Sequence, residues 1–300
     1  MFAVRGRRHY RARLIRRRHS PPIIIWQVSS GVLACPHCQR ELVVSEREAR
    51  CVDGHSFDRA REGYFNLLVA GRRAPTTTAG DTAESLQARR RFLEAGHYQP
   101  ISDAVCALVP SASGPTIDVG CGEGYYLSRI SGRHRVGIDI AKTAVRMAAS
   151  RHRQTTWIVG SSYRLPVLAS SVGAVVSIFA QRPLDEFRRV LHDDGVAIMV
   201  SPAAGHLNEL SALISDEESE KRTSRAVARS APPITLGESL RLTYHLQLDA
   251  ASGKDLLQMT PLYWQNKARA RLSAGIEAVT VDVWVTRLSS GEISSVAPAQ

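Results

Sequence analysis

The sequence predicts an α/β fold, with a Rossmann-like, mainly parallel sheet covered by helices, preceded by a small N-terminal zinc-knuckle domain. Two observations lead to this prediction. Short apolar segments alternate with helical patterns between residues 116 and 200, and cysteines are paired with each other and with a histidine between residues 35 and 55. Alternating strands and helices require crossovers that place the strands parallel in one sheet. A chain of 300 residues, 44% hydrophobic, can bury both cores.

Composition divides the chain into five segments. Residues 1–30 form a basic extension that we expect to be disordered, and its eight arginines carry most of the net charge of +11. The zinc-binding domain is expected at 31–70, a linker and helices at 71–110, the α/β domain at 111–290 and a tail at 291–300. Because the charge is concentrated in the extension, the body of the chain gives only weak evidence for a nucleic-acid partner.

The N-terminal segment has two other interpretations. Its basic start and the apolar residues 23–26 mimic a signal peptide with a lipid-modified Cys35, but the metal site needs that thiol. Translation from near Val28 or Val32 would instead begin just before the knuckle. No segment reaches the roughly 20 apolar residues of a membrane span. Five cysteines, three of them in one cluster, favour a metal site with free thiols in a reducing cytoplasm.

The knuckle offers four metal ligands in two close pairs, Cys35 with Cys38 and Cys51 with His55. Three thiolates and one imidazole complete a tetrahedron around Zn²⁺ and leave no position open for water, which is typical of a structural site. Gly54 permits the tight turn before the histidine. The apolar residues that follow are expected to form the small core of this domain: Phe57, Tyr64, Phe65, Leu67 and Leu68.

Apolar runs and helical periodicity locate the elements of the second domain. A helix is expected over 81–108, split near Gly96, because glycine weakens a helix interior. Further helices are expected at 125–130, 142–150 and 184–191, and residues 216–233 are a polar insertion. The strands are short apolar runs bounded by glycine or polar residues, at 116–119, 135–139, 156–159, 173–179, 195–200, 239–248 and 279–288. Alternation in the last two predicts an edge hairpin.

A glycine-rich loop follows the first of these strands and opens a helix, with Gly120, Gly122 and Gly124 in a Gly-x-Gly-x-Gly spacing. Dinucleotide sites use a different spacing. Asp118 precedes the loop, and its charge would repel a pyrophosphate but suits the cationic methionine portion of S-adenosylmethionine. Asp139 ends the next strand, where a carboxylate accepts ribose hydroxyls. These residues predict a class I S-adenosylmethionine-dependent methyltransferase.

Three further residues are candidates for cofactor contact. Tyr125 opens the helix after the glycine loop. Ser162 and Leu165 follow the third strand and line the adenine pocket in one interpretation, or are ordinary loop residues in the other.

With both motifs in place, the chain resembles the 23S ribosomal RNA guanine-N1 methyltransferases, which include housekeeping enzymes and relatives that confer macrolide resistance. The resemblance extends from about Leu33 to Leu288. It rests on Cys-Pro-His-Cys at 35–38, Gly-His-Ser-Phe-Asp at 54–58, Glu-Gly-Tyr-Phe-Asn-Leu-Leu at 62–68, Gly-Asp-Thr at 80–82, the segment from Ala88 to Tyr98, Asp-Val-Gly-Cys-Gly-Glu-Gly-Tyr-Tyr at 118–126, His206-Leu207 with Glu209-Leu210, and Met-Thr-Pro at 259–261.

The resemblance implies a zinc domain that helps to hold a 23S rRNA hairpin, S-adenosylmethionine in the sheet, and methyl transfer to N1 of one guanine. It also implies that the family tends to form dimers, so a homodimer is a candidate assembly, while the lack of a long apolar segment predicts no membrane partner. Two places depart from the family pattern. Ala180-Gln181 stands where the family has Ala-Pro, and Asp193-Asp194-Gly195 replaces a Pro-Gly-Gly turn. The first departure affects the wall that faces the target base.

Methylation at N1 requires a site that accepts the N1 proton and holds the base edge. Gln181 is a candidate for bonding the base edge, while His206 and Glu209 are candidates for the proton acceptor because they follow the fifth strand. Alternatively, positioning supplies most of the acceleration and water takes the proton.

Two other functions are weighed beside this one. A small-molecule methyltransferase would share the glycine loop but would have little use for a zinc knuckle. A catalytically silent RNA-binding homologue would keep the knuckle but would lose the loop, whereas here the loop and both acidic residues are intact.

Overall fold

The computed structural model describes residues 31–69, 82–110, 114–132, 134–212, 237–260, 263 and 276–295. The predicted basic extension, the linker at 71–80 and the polar insertion at 216–233 lie outside the described residues. Within the described part of the chain, every helix is too short or too polar to cross a membrane.

Three short strands form an N-terminal antiparallel sheet: β1 (Val43–Val44), β2 (Glu48–Arg50) and β3 (Ser56–Asp58). A second sheet has eight strands: β4 (Tyr64–Asn66), β5 (Thr116–Val119), β6 (Arg135–Asp139), β7 (Thr156–Val159), β8 (Val172–Ile178), β9 (Leu191–Pro202), β10 (Glu238–Gln247) and β11 (Ala278–Ser289). The described helices are α1 (Ala83–Glu94), α2 (Gln99–Leu108), α3 (Tyr125–Arg129), α4 (Lys142–Arg151), α5 (Leu184–Val190), α6 (Asn208–Ala212), α7 (Ala250–Gln258) and α8 (Ser290–Ser295).

The large sheet confirms the predicted α/β class. Its strand order is β10-β11-β9-β8-β5-β6-β7-β4, and every pair from β9 to β4 is parallel. The predicted closing hairpin is also present: β11 pairs antiparallel with β9 on one side and with the edge strand β10 on the other. The chain leaves β5 toward β6 and returns on the other side through β8. Such a switch point opens a crevice at the carboxyl ends of the strands.

The last strand of the knuckle belongs to the large sheet, which the sequence did not predict. β4 pairs in parallel with β7, matching Tyr64 with Trp157 and Phe65 with Ile158. Successive side chains of a strand point to opposite faces. Tyr64 therefore joins the cluster on one face of the sheet, and Phe65 joins the cluster on the other. The expected private core of the knuckle is in fact shared with the α/β domain.

This shared cluster extends from the metal ligands to the sheet. Cys35 and Cys51 belong to the same group of buried residues as Leu33 of the knuckle and Ile117 of β5. Backbone hydrogen bonds join the two parts as well, since the Ala34 N–H donates to the Pro166 carbonyl at 3.0 Å. Burial of this apolar surface couples the stability of the knuckle to that of the sheet.

Among the described residues, Trp157 is the largest fully buried side chain, and its ring explains why two neighbouring positions are glycine. A Cβ on Gly124 would lie 2.4 Å from the indole ring, and one on Gly137 would lie 2.2 Å from it. The ring donates its N–H to the His152 carbonyl at 3.0 Å, so its polar group is satisfied. The glycine loop therefore lies directly on this core residue.

The carboxylate of Asp282 in β11 ties the closing hairpin to the loop after β9. Arg241 donates two hydrogen bonds to it at 2.8 Å, the Thr243 hydroxyl donates at 3.0 Å, and the Gly205 N–H donates at 3.0 Å. The side chain is only 2% exposed. Hydrogen bonds from Arg241 outweigh the opposing effect of burial and lower the pKa of Asp282 to about 2.

We predict that Asp282→Asn lowers the free energy of unfolding by about 2 kcal/mol at pH 7, because the amide cannot satisfy four donors. The folded-state pKa lies below the unfolded value of about 4, so the carboxylate stabilises the fold above pH 4 and this contribution is lost as pH falls toward 2. Urea unfolding between pH 7 and pH 3 should show the two proteins converging. Asp185→Asn, at an exposed ion pair, is the control and should change nothing measurable. A pH-independent difference would contradict the account.

Candidate functional site

The structure brings the four predicted metal ligands together. The ligand atoms of Cys35, Cys38, Cys51 and His55 all lie within 4.8 Å of one another. The Cys38 and Cys51 sulfurs are 3.6 Å apart, and the Cys51 sulfur is 3.3 Å from His55 Nδ1. A tetrahedron with Zn–S bonds of about 2.3 Å has edges of about 3.8 Å. The donor set and its spacing therefore fit a closed zinc site.

Two tight turns present these ligands. The Gln39 N–H donates to the Cys35 carbonyl at 2.8 Å, and the Gly54 N–H donates to the Cys51 carbonyl at 3.0 Å. Gln39 has φ 62° and Gly54 has φ 85°, so both turns use the left-handed region. The second turn is the one that the sequence assigned to Gly54.

The glycine loop crosses the carboxyl end of β5 with Gly120, Gly122 and Gly124 all at positive φ. A Cβ on Gly120 would lie 2.4 Å from the Ala180 Cβ, which also explains a small residue at position 180. A Cβ on Gly122 would meet only the Arg89 guanidinium, at 3.8 Å. Two of the glycines are therefore required by packing, whereas Gly122 leaves open space in which a ligand can approach the backbone.

Asp139 holds this loop at the end of β6. Its carboxylate accepts the Gly122 N–H and the Ala141 N–H, each at 2.8 Å. Its place, at the strand end beside the glycine loop, is the one from which a carboxylate accepts ribose hydroxyls. Asp118 lies behind the loop and is 2% exposed. Burial, with smaller effects from Asp139 and Glu123, raises the pKa of Asp118 to about 8, so a bound cation would favour its charged form.

A cavity of about 350 Å³ opens beside the glycine loop, at the switch point of the sheet. It is lined by Arg89, Leu93, Tyr98, Gly120, Cys121, Gly122, Glu123, Tyr125, Tyr126, Ile178, Phe179, His206, Leu207, Met259 and Thr260. These lining residues come from several of the segments on which the family resemblance rests, including those at 88–98, 118–126, 206–207 and 259–260. Volume, aromatic lining and a few polar groups are typical of a small-molecule site.

Two lining residues have strained backbones. Phe179, directly after β8, has φ 53°, and Leu207 has φ 53°. Side chains with a Cβ rarely adopt this region, and such strain concentrates at functional sites. The Phe179 ring is 40% exposed and stacks on His206 with centroids 5.6 Å apart, while Tyr98 lies 6.0 Å from it. The strain holds an aromatic ring at the rim of the cavity.

His206 is held in its neutral form, with a hydrogen available on one ring nitrogen. Burial, opposed by Asp282 and Glu209, lowers the pKa of His206 to about 4. The Asp282 N–H donates to its Nδ1 at 3.3 Å, which places the ring proton on Nε2. With one nitrogen engaged and the other protonated, the histidine is poorly suited to the proton-accepting role considered from the sequence.

The other two catalytic candidates are not among the residues that line the cavity. Both oxygens of Glu209 accept hydrogen bonds from Thr280, so this carboxylate anchors α6 to β11. Gln181 is exposed, and its Oε1 accepts the Tyr163 hydroxyl at 3.1 Å. The position of Glu209 argues against a role as base, and contact of Gln181 with the substrate stays a prediction.

The remaining cofactor candidates are Tyr125, Ser162 and Leu165, and they differ in whether they line the cavity. Tyr125 does. Leu165 is fully buried in the cluster shared with the knuckle, and its N–H donates to Glu186 at 2.6 Å. Ser162 is half-buried in the loop after β7 and is not a lining residue. Roles for Leu165 and Ser162 in an adenine pocket stay predictions that the cavity does not support.

Sequence reasoning missed Arg89, Glu123 and Phe179. Residues 89–91 are three consecutive arginines, and their side chains have different surroundings. Arg91 binds Asp255 with two nitrogens and Arg90 pairs with Glu94, whereas Arg89 faces the cavity. Glu123 was visible as the residue between two glycines of the loop. Its proximity to Arg89, in α1, joins distant parts of the chain and is revealed by no local pattern.

We predict that Cys38→Ser reduces bound zinc from one equivalent to none and lowers Tm, because the ligand cluster is continuous with the main core. Affinity for S-adenosylhomocysteine should change by less than about twofold, since the knuckle supplies no residue that lines the cavity. Metal analysis, a thermal melt and calorimetry measure these effects. Cys106→Ser, outside the cluster, is the control. Retained zinc in the Cys38 variant would contradict the ligand assignment.

Comparison with known proteins supports this arrangement. Residues 33–73 match a zinc-ribbon family described as "RlmA, N-terminal", and residues 117–199 match a family described as "Methyltransferase domain". The methyltransferase domain implies S-adenosylmethionine as cofactor, and the ribbon implies zinc at the four ligands. Among solved structures, the YcgJ protein from Bacillus subtilis is similar at 16% identity with a TM-score of 0.44, over 64% of this chain and 97% of that one.

Relatives named for a single activity match most of the chain. The 23S rRNA (guanine(748)-N(1))-methyltransferase of Streptomyces fradiae is 32% identical, and the match covers 85% of this chain and 95% of that protein. A protein of Micromonospora griseorubida, provisionally named for the same guanine-N1 activity, is 36% identical over 85% of this chain and 94% of its own length. With such identity over nearly the whole of both relatives, the chain belongs to the family of 23S rRNA guanine-N1 methyltransferases.

Proposed function

We propose that the protein transfers a methyl group from S-adenosylmethionine to N1 of a guanine in 23S rRNA. The observation that carries this proposal is the cavity at the switch point of the sheet, where the glycine loop meets an aromatic rim and Asp139 holds the loop from outside the lining. The relative from Streptomyces fradiae, named for this activity, supports the choice of substrate. The intact loop and acidic residues favour an active enzyme over a silent RNA-binding homologue.

The cofactor, when bound, supplies a methyl group on a cationic sulfur. The residues of the chain then have to hold the base edge and keep the reacting atoms in line. His206 is a neutral donor beside the cavity, and its Nε2–H is suited to the O6 carbonyl of guanine. Such a bond stabilises the negative charge that develops on O6 as N1 loses its proton.

The N1 proton has no strong acceptor among the described lining residues. Glu123 is the one carboxylate in that set, and it is 5% exposed. Positioning and the donor from His206 therefore supply most of the acceleration in this proposal, and solvent takes the proton at the open side. This is the alternative considered from the sequence, in which positioning supplies most of the acceleration and water takes the proton.

Phe179 gives a displaced guanine a surface on which to stack. A base inside an RNA helix has to leave its stack before N1 can be reached, and aromatic rings replace the lost stacking. The exposed ring beside His206 meets this need.

The finer parts of the proposal concern the setting of the reaction. We infer that the RNA element is a hairpin, that the zinc ribbon helps to hold it, and that the enzyme acts in the cytoplasm as a homodimer. The family resemblance supports the hairpin and the dimer, and the five cysteines, none of which forms a disulfide, support the compartment.

The first experiment measures methyl transfer from labelled S-adenosylmethionine to unmodified 23S rRNA, followed by mass mapping of the product. We expect a single N1-methylguanine. Label on another nucleotide would overturn the assignment of N1, and absence of RNA labelling with intact cofactor binding would favour a small-molecule substrate or a silent homologue.

We predict that Phe179→Ala lowers kcat/KM for RNA by about 10- to 100-fold, because stacking of one base on an aromatic ring contributes about 1–3 kcal/mol. Affinity for S-adenosylhomocysteine should change less than about twofold. Phe179→Tyr keeps the ring and serves as the control, with near wild-type transfer expected. Equal losses in RNA methylation and cofactor affinity would show that the ring serves the cofactor instead.

A further inference from the structure

Glu123 has a buried oxygen without a partner. The residue is 5% exposed, it lines the cavity, and its Oε1 makes no hydrogen bond to any described residue. Leaving a buried polar atom unpaired is costly, and native structures rarely do so without a functional reason. The proposed methyl transfer does not use this carboxylate.

Arg89 lines the same cavity and carries the opposite charge to Glu123. Its guanidinium lies 3.8 Å from the position of a Cβ on Gly122, so it faces the open side of the loop. It makes no hydrogen bond to a described residue, whereas its neighbours in the run pair with Glu94 and Asp255. Arg89 is also close enough to Glu123 for its charge to oppose the rise in pKa that burial causes there.

These two residues are the cation and the anion of the described cavity lining. Both lie at the glycine loop, and Asp139 holds the same loop by accepting the Gly122 N–H. The amino-acid end of S-adenosylmethionine carries one carboxylate and one ammonium group, while its ribose carries the hydroxyls that suit Asp139. The cavity therefore presents charges that complement a zwitterion.

We propose that Arg89 binds the α-carboxylate and Glu123 the α-ammonium of the cofactor's amino-acid end, an inference that rests on the proposed use of S-adenosylmethionine. An arginine matches a carboxylate with two parallel donors, and a carboxylate is the natural acceptor for an ammonium. The pair thus selects the complete cofactor over nucleosides that lack the amino-acid end.

Ligand truncation tests this selection without RNA. S-adenosylhomocysteine and methylthioadenosine share the adenosine and the thioether sulfur, but only the first has the amino-acid end. We expect Arg89→Ala and Glu123→Gln each to weaken S-adenosylhomocysteine by about tenfold or more, because charged hydrogen bonds are lost. Methylthioadenosine should bind these variants within about twofold of wild type. Calorimetry on the full chain gives both affinities.

Three controls separate the subsite from general damage. Arg90→Ala removes the adjacent arginine of the run and should leave both affinities unchanged, since Arg90 pairs with Glu94 at the surface. Arg89→Lys should recover part of the lost selectivity. Asp139→Ala should weaken both ligands, because both contain the ribose. Thermal melts identify a variant that fails to fold. If Arg89→Ala fails to fold, the two affinities are measured on Arg89→Lys instead.

The outcomes are distinct. Loss confined to S-adenosylhomocysteine in the two variants supports the subsite, even if 23S rRNA proves not to be methylated, which would overturn only the proposed substrate. Equal losses for the two ligands, or unchanged affinity for S-adenosylhomocysteine in both variants, overturn the subsite. Wild-type protein that binds the two ligands equally well also overturns it.

Discussion

The carboxylate of Asp139 holds the glycine loop in place, and the candidate site depends on that contact. It accepts the N–H groups of Gly122 and Ala141, so it joins the turn after β5 to the start of α4 across the end of β6. The loop has little freedom elsewhere, because Gly124 lies on Trp157 and Gly120 on Ala180. Gly122 is thereby fixed with its open face toward the cavity. Cofactor recognition follows from a loop that is rigid before any ligand arrives.

The opposite wall of the cavity depends on a second carboxylate. Asp282 collects donors from Arg241, Thr243 and Gly205, and its own N–H fixes the tautomer of His206. The closing hairpin thus does more than complete the sheet, since it sets the hydrogen-bonding character of a lining residue. Strain at Phe179 and Leu207 is tolerated on this wall because the surrounding contacts determine the backbone there.

The zinc ribbon is continuous with the methyltransferase core. β4 extends the large sheet, and the buried cysteines share a cluster with residues of β5. The ribbon is therefore held against the sheet at β7, the strand that pairs with β4. In the proposed function, where the ribbon helps to hold the RNA, a fixed ribbon would present the substrate at a defined distance from the cavity.

The sequence alone determined the features that are local. Ligand spacing identified Cys35, Cys38, Cys51 and His55, and the alternation of strands and helices identified the sheet, because both patterns lie within short stretches of chain. Tertiary structure decided the rest. Only packing turns Arg89 toward Glu123 while Arg91 pairs with Asp255, ties Glu209 to Thr280, and adds β4 to the sheet. These outcomes join residues far apart in the chain, and no local pattern encodes which side chain a distant strand or helix will meet.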